Sequence, residues 1–205
     1  MSDTKPDRIL AEVSEDPWVK LILWSNEYNL HPTRRWNGFI NYLLELRLAP
    51  MKHLGLTDEQ QRALMEDWGI DRAEFKRVLQ LSEDEVNEAK QFFPDDTDFE
   101  DIELDVKIDN HTFSKELNFS EAIFVGPINF NDCLFDCSVD FTFTDFQKMA
   151  LFTGSKFLEN VNFGQAQFRA PVIFRRVTFH KEVNFYSTDH DSGYLAGFEN
   201  VKFKK

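Results

Sequence analysis

Residues 161–168 read Val161-Asn162-Phe163-Gly164-Gln165-Ala166-Gln167-Phe168. Their two phenylalanines are rungs of a longer ladder. One series is Phe113, Phe124, Phe135, Phe146, Phe157, Phe168 and Phe179; the other is Phe119, Phe130, Phe141, Phe152, Phe163, Phe174 and Phe185. Each series recurs at every eleventh position, and the step from rung to rung alternates between five and six. A fixed short period marks a solenoid, in which each repeat buries its apolar face by stacking on its neighbours.

The residues between the rungs sharpen this. Two positions before the second series stand Leu117, Ile128, Val139, Ala150, Val161, Val172 and Val183, all apolar. Two before the first series, from Phe124 on, stand the small or narrow Ala122, Cys133, Thr144, Ser155, Ala166 and Val177. Positions i and i−2 on one side are strand-like alternation, so the residue between them points outward. In the second series that residue is Asn118, Asn129, Asp140, Leu151, Asn162, Ile173 and Asn184. Ile102 and Ile108 occupy the two slots before Phe113 and Phe119, which places the start of the solenoid near Ile102.

The pattern of a small residue, Asn or Asp, Phe and variable residues resembles the pentapeptide-repeat family, over about residues 102–203. The resemblance implies a right-handed β-helix with a four-sided cross-section. The departure from plain five-residue spacing reads as sides of five, six, five and six. Two repeats then make one turn, which gives four to five turns and a rod about 20–25 Å long; a coil built on another multiple of the repeat remains open. Sixteen Phe are in register if Phe198 and Phe203 are counted after a slip of two positions.

Residues 1–93 carry a different periodicity and read as an all-α bundle. Ser14 or Asp16 caps a first helix with Pro17 in its first turn. A second spans about Thr33 to Leu48, ended by Pro50. Thr57 with Gln60 opens a third, stopped at Gly69; Asp71 with Glu74 opens a fourth, to Leu81; Ser82 with Glu85 opens a fifth, to Phe93. Trp18, Trp24, Trp36 and Trp68 read as bundle core. Residues 94–101 have the composition of an acidic linker, so the fold class is mixed: a helical bundle (1–93), then a β-helix (102–205). The helical domain should cover one end of the rod, because its C-terminus feeds the first coil.

The chain has 205 residues and a formal charge of −13, which disfavours direct nucleic-acid or anionic membrane binding. No spanning apolar run and no secretory signal are present. Cys133 and Cys137 are the only cysteines, and they read as reduced thiols in a cytoplasmic protein. No phosphate-binding loop, His-Glu-x-x-His or nucleophile elbow occurs. The chain is therefore read as non-catalytic, without cofactor or metal.

Candidate binding residues are those the ladder does not consume. Leu151 and Ile173 share one outward column if two repeats make a turn, and with Phe143 and Leu158 they are read as an apolar patch. The outward Asn118, Asp140, Asn162 and Asn184 are expected to bond turn backbone. Charge is divided along the rod: residues 101–145 hold ten acids and two bases, residues 146–205 five acids and nine bases. Arg169, Arg175 and Arg176 are the densest basic group. Tyr186 to Gly197 interrupts the ladder as a bulging loop, with His190 in a slot due a Phe and Tyr194 inside it; loops often carry recognition.

Two functions follow. The first is a protein–protein interaction scaffold, with a homodimer through the C-terminal end of the β-helix as one form of partnership. The second is implied by the resemblance: some pentapeptide-repeat proteins match a DNA duplex in size and negative charge, bind type II topoisomerases such as DNA gyrase, and protect them.

Overall fold

The computed structural model describes residues 15–27, 32–52, 60, 81–95, 97–99, 103–190 and 197–204. Three helices precede a solenoid. Helix α1 is Pro17–Asn26, α2 is Pro32–Lys52 and α3 is Glu83–Lys90. Asp16, not Ser14, caps α1: its Oδ1 accepts from the Trp18 and Val19 backbone N–H groups at 2.8 and 3.2 Å. Ser82 and Glu85 form the expected capping box on α3, which stops at Lys90 rather than Phe93. Helix α2 runs past Pro50 to Lys52; so near a C-terminus the proline removes only one backbone donor, and the helix continues beyond it. The expected helices over 57–68 and 71–81 fall outside the described residues apart from Gln60, which is helical, and Leu81.

The helical core is aromatic. Trp18 meets Trp36 at 6.1 Å and Phe93 edge-on at 5.5 Å, and Phe93 stacks on Phe39 at 5.8 Å. Phe99, within the acidic stretch, packs edge-on against Phe93 at 5.6 Å. Arg34 holds both oxygens of Glu85 at 2.5 and 2.9 Å, tying α2 to α3. That guanidinium, bonded to the carboxylate, lowers the Glu85 pKa to about 2.

From Val106 on, the chain winds through four parallel sheets. The first face stacks Val106–Lys107, Ile128–Asn129, Ala150–Leu151, Val172–Arg175 and Gly197–Glu199. The second stacks Thr112–Phe113, Leu134–Phe135, Lys156–Phe157, Thr178–Phe179 and Lys202–Phe203. The third stacks Leu117–Asn118, Val139–Asp140, Val161–Asn162 and Val183–Asn184. The fourth stacks Ile123–Phe124, Asp145–Phe146, Gln167–Phe168 and Asp189–His190. Partners such as Val139↔Val161 and Phe146↔Phe168 stand twenty-two positions apart, which closes the coil on two repeats. The last turn is longer by two, pairing Ile173 with Gly197 and Phe179 with Phe203. Ile102 lies outside the described residues; Ile108, 1% exposed, takes the Phe slot of the first turn.

The alternation of five and six has a backbone cause. Every step of five contains one residue of positive φ: Asn110, Asp132, Gly154, Arg176 and Asn200 between the first and second faces, and Glu121, Phe143, Gln165 and Ser187 between the third and fourth. The steps of six contain none. One left-handed residue turns the chain sharply; without it, the corner takes an extra residue.

Every ladder residue from Phe113 to Phe179 is at most 2% exposed. Along the axis the rings stack nearly parallel: Phe119, Phe141, Phe163 and Phe185 follow at 5.1, 4.8 and 5.1 Å. Across corners they can meet edge-on, as Phe163 and Phe174 do at 80°. Both arrangements suit the ring quadrupole, and each buried Phe contributes about 1.5–3 kcal/mol before entropy is subtracted. The small inward residues add ties between coils. Thr144 Oγ1 donates to the Phe119 carbonyl at 2.7 Å, Ser155 Oγ to that of Phe130, and Cys133 Sγ to that of Ile108 at 3.2 Å.

The helices close the N-terminal end of the rod. Strand edges of the first turn would otherwise leave backbone groups unpaired. Asn37 acts as a substitute peptide unit, with Nδ2 donating to the Glu121 carbonyl and Oδ1 accepting from the Ile123 N–H, both at 2.9 Å. Trp36 Nε1 donates to the Ile123 carbonyl at 3.1 Å, and its ring packs on Phe124 at 5.2 Å. Asn26 Oδ1 accepts from the Asn118 N–H. Gly126 is needed where the entering chain crosses the first turn, since a Cβ there would lie 1.9 Å from the Leu104 carbonyl oxygen.

Candidate interaction surface

With the ladder turned inward, the outer surface consists of columns of residues one turn apart. The column Asn118, Asp140, Asn162 and Asn184 is structural. Each carboxylate or amide oxygen accepts from the backbone N–H two residues on, at 2.8, 2.8, 2.9 and 2.8 Å. Asn129 does the same at 3.0 Å. These side chains hold the corners and are committed to the backbone.

The apolar patch expected from Phe143, Leu151, Leu158 and Ile173 does not form as a unit. Leu151 and Ile173 are register partners on the first face, above Asn129. Leu158 follows the second face, where its N–H donates to the Phe135 carbonyl. Phe143 sits at the corner between the third and fourth faces. A vertical column keeps residues together only when they occupy the same slot of the turn, and these four occupy three slots. The companion the sequence reading missed is Met149, 39% exposed and two residues before Leu151. Strand alternation places it on the same outer side as Leu151, and that signal was available in the sequence.

The structure also separates the cations. Arg169 is engaged internally: its Nε donates to Asp145 at 2.7 Å and an Nη to Gln167 at 3.1 Å. Asp145 is itself buried, with Gln147 donating to its other oxygen at 3.1 Å. Arg175 pairs with Glu199 at 3.2 Å. Arg176, at a positive-φ corner, is exposed and forms no ion pair among the described residues. His190 occupies the register slot above Phe168 and still belongs to a strand, so of the bulge expected over 186–197, residues 186–190 are part of the coil. Residues 191–196 of that expected bulge, with Tyr194, lie outside the described set.

Four aromatic side chains are exposed among the described residues. Phe143 is 51% exposed at φ +56°, a conformation unfavourable for so large a side chain. Tyr186 is 74% exposed near the same corner two turns later. On the last turn Phe198 and Phe203 are 50% and 62% exposed, although they continue the buried columns of Phe174 and Phe179 at 5.1 and 5.5 Å.

The two cysteines are free and buried. Burial pushes both thiols up to about 12. No group of three or more potential metal ligands occurs among the described residues, and no helix among them is long and apolar enough to cross a membrane.

A family model described as pentapeptide repeats (9 copies) matches residues 144–189. The coiled half of the chain is a pentapeptide-repeat solenoid. The matched stretch spans the middle turns, where strands pair at a constant offset of twenty-two positions. No curated protein and no solved structure matches the chain. The pentapeptide-repeat rod is a repeat scaffold whose outer columns vary from turn to turn while its interior does not.

Proposed function

We propose that the protein is a non-catalytic protein–protein interaction module that uses the pentapeptide-repeat solenoid as its binding scaffold. One association is with a second copy through the C-terminal end. The observation that carries this reading is the contrast within the ladder. Rungs that have a turn stacked on their C-terminal side are at most 2% exposed from Phe113 to Phe179, whereas Phe198 and Phe203 on the last turn are 50% and 62% exposed. Val183, Phe185 and Val201 beside them are only partly buried. A second copy meeting this rim would continue the ring stacks and bury apolar surface. A cytoplasmic location belongs to the same proposal and is supported by the two free thiols.

The alternative, an acidic DNA mimic that binds DNA gyrase or a related topoisomerase, is supported by the formal charge of −13. The columns argue against it, because none on the described solenoid holds more than two acids, and a duplex-like surface calls for a continuous negative stripe.

Sedimentation equilibrium tests the end-on association. The expected result is self-association at micromolar protein that persists in about 0.5 M salt, because the contact is apolar. Phe198→Asp with Phe203→Asp should leave a folded monomer. A wild-type chain that stays monomeric at about a hundred times that concentration would reject the contact.

A further inference from the structure

Phe143 is unfavourable twice over, in its backbone and in its exposure. It is the third residue of a reverse turn closed by the Phe141 carbonyl, which accepts from the Thr144 N–H at 3.1 Å. A left-handed backbone at that position, here φ +56°, belongs to glycine or asparagine. The other left-handed corner residues described are polar or glycine, whereas Phe143 puts a hydrocarbon ring half into solvent. Two turns along the same corner Tyr186 is 74% exposed, in the slot next to the one Phe143 occupies. The turn between them carries Gly164 and Gln165 at this corner. Gly164 leaves a notch, and a Cβ there would lie 3.0 and 3.1 Å from the amide ends of Asn162 and Asn184. Neither exposed ring touches another ring among the described residues.

The surroundings of these rings are acidic. The outward positions of the third and fourth faces and of the corner between them hold Glu121, Asp140, Asp145 and Asp189, and no lysine or arginine. Arg169 answers Asp145. The other three acids form no ion pair among the described residues. We propose that this corner binds an arginine side chain presented by a partner protein, with its guanidinium over Gly164 between Phe143 and Tyr186 and with Asp140 and Asp189 supplying the opposite charge. Stacked strands lie about 4.8 Å apart, so a guanidinium at the level of Gly164 is one turn from each ring, inside the ~6 Å reach of a cation–π contact. Arginine suits the site better than lysine, because its planar group is weakly hydrated and stacks on aromatic faces. An acidic partner would meet only like charge here. The corner gives the interaction reading above a partner class. It uses no part of the end-on contact, so either can fail without the other.

The test is thermophoresis of the labelled chain, kept at nanomolar concentration so that self-association does not enter. The probes are the peptides Gly-Arg-Gly-Arg-Gly and Gly-Lys-Gly-Lys-Gly, titrated at about 0.15 M salt. The arginine peptide should bind about five-fold more tightly than the lysine peptide, and Phe143→Asn and Tyr186→Ser should each remove about that factor. Neither substitution alters the formal charge of −13, so a loss of binding cannot come from weaker overall attraction. Phe143→Asn should also raise the thermal midpoint, because asparagine tolerates the left-handed backbone that phenylalanine resists. Loss of binding in a more stable chain would then mark the ring as a binding group. Equal affinity for the two peptides would mean attraction to net charge alone and would overturn the proposal. Arginine binding unchanged in both variants, or no binding of either peptide, would overturn it as well. So would a lowered midpoint in Phe143→Asn, which would make the ring part of the structure.

Discussion

Phe152→Ala is expected to lower the free energy of unfolding by about 3–5 kcal/mol, the largest single-residue loss in the solenoid. Phe152 is fully buried in the middle of the rod. It stacks on Phe174 at 5.1 Å, lies tilted over Phe130 at 5.8 Å, and meets Phe141 and Phe163 edge-on at 6.0 and 5.8 Å. Truncation leaves a void that the coils above and below cannot close, because their spacing is set by the backbone ladder. Phe203→Ala is the control: the same chemical change on a side chain 62% exposed should cost under about 1 kcal/mol. Denaturant unfolding of the two variants measures the difference, and similar losses would mean that the ladder is not the core.

Trp36→Ala is expected to cost a similar ~3–5 kcal/mol, through a different link. Trp36 is 2% exposed and joins the two halves of the molecule. Its ring contacts Trp18 at 6.1 Å on the helical side and Phe124 at 5.2 Å on the solenoid side, while its N–H satisfies the Ile123 carbonyl. Removing it opens a cavity at the junction and strips an edge carbonyl of its donor. Trp36→Phe separates the two effects: it keeps an aromatic ring but leaves the carbonyl unpaired, a cost of about 1–3 kcal/mol. Denaturant unfolding monitored by Trp fluorescence and by far-UV dichroism should show a lower midpoint for both variants. An unchanged midpoint in Trp36→Ala would contradict the cap.

The solenoid is legible in the sequence because its interior is periodic. The length of the turn, the inward Phe and the corner-bonding Asn column all follow from slot arithmetic, and the slip before Phe198 does too. The cap is legible as a location but not in its contacts. Asn26, Trp36 and Asn37 find partners 84–92 residues away, and no local pattern announces such pairs. The surface is the least legible part. Grouping Phe143 and Leu158 with Leu151 follows apolar character rather than slot, and it passes over Met149. Counting Arg169 as a binding cation overlooks Asp145, which stands 24 positions before it, one turn and two residues. Ending α2 at Pro50 gives a proline in a last helical turn more power than it has.

The most direct test of the turn length is a deletion of residues 139–160, joining Ser138 to Val161. Val161 is the register partner of Val139, so the deletion removes one whole turn and returns every later strand to its own face. The account predicts a folded, cooperative protein with one turn fewer and the β dichroism retained. Deleting only residues 161–165 instead shifts every later strand by one face and should abolish cooperative unfolding. If the whole-turn deletion unfolds the chain as thoroughly as the quarter-turn deletion, the coil described here is wrong.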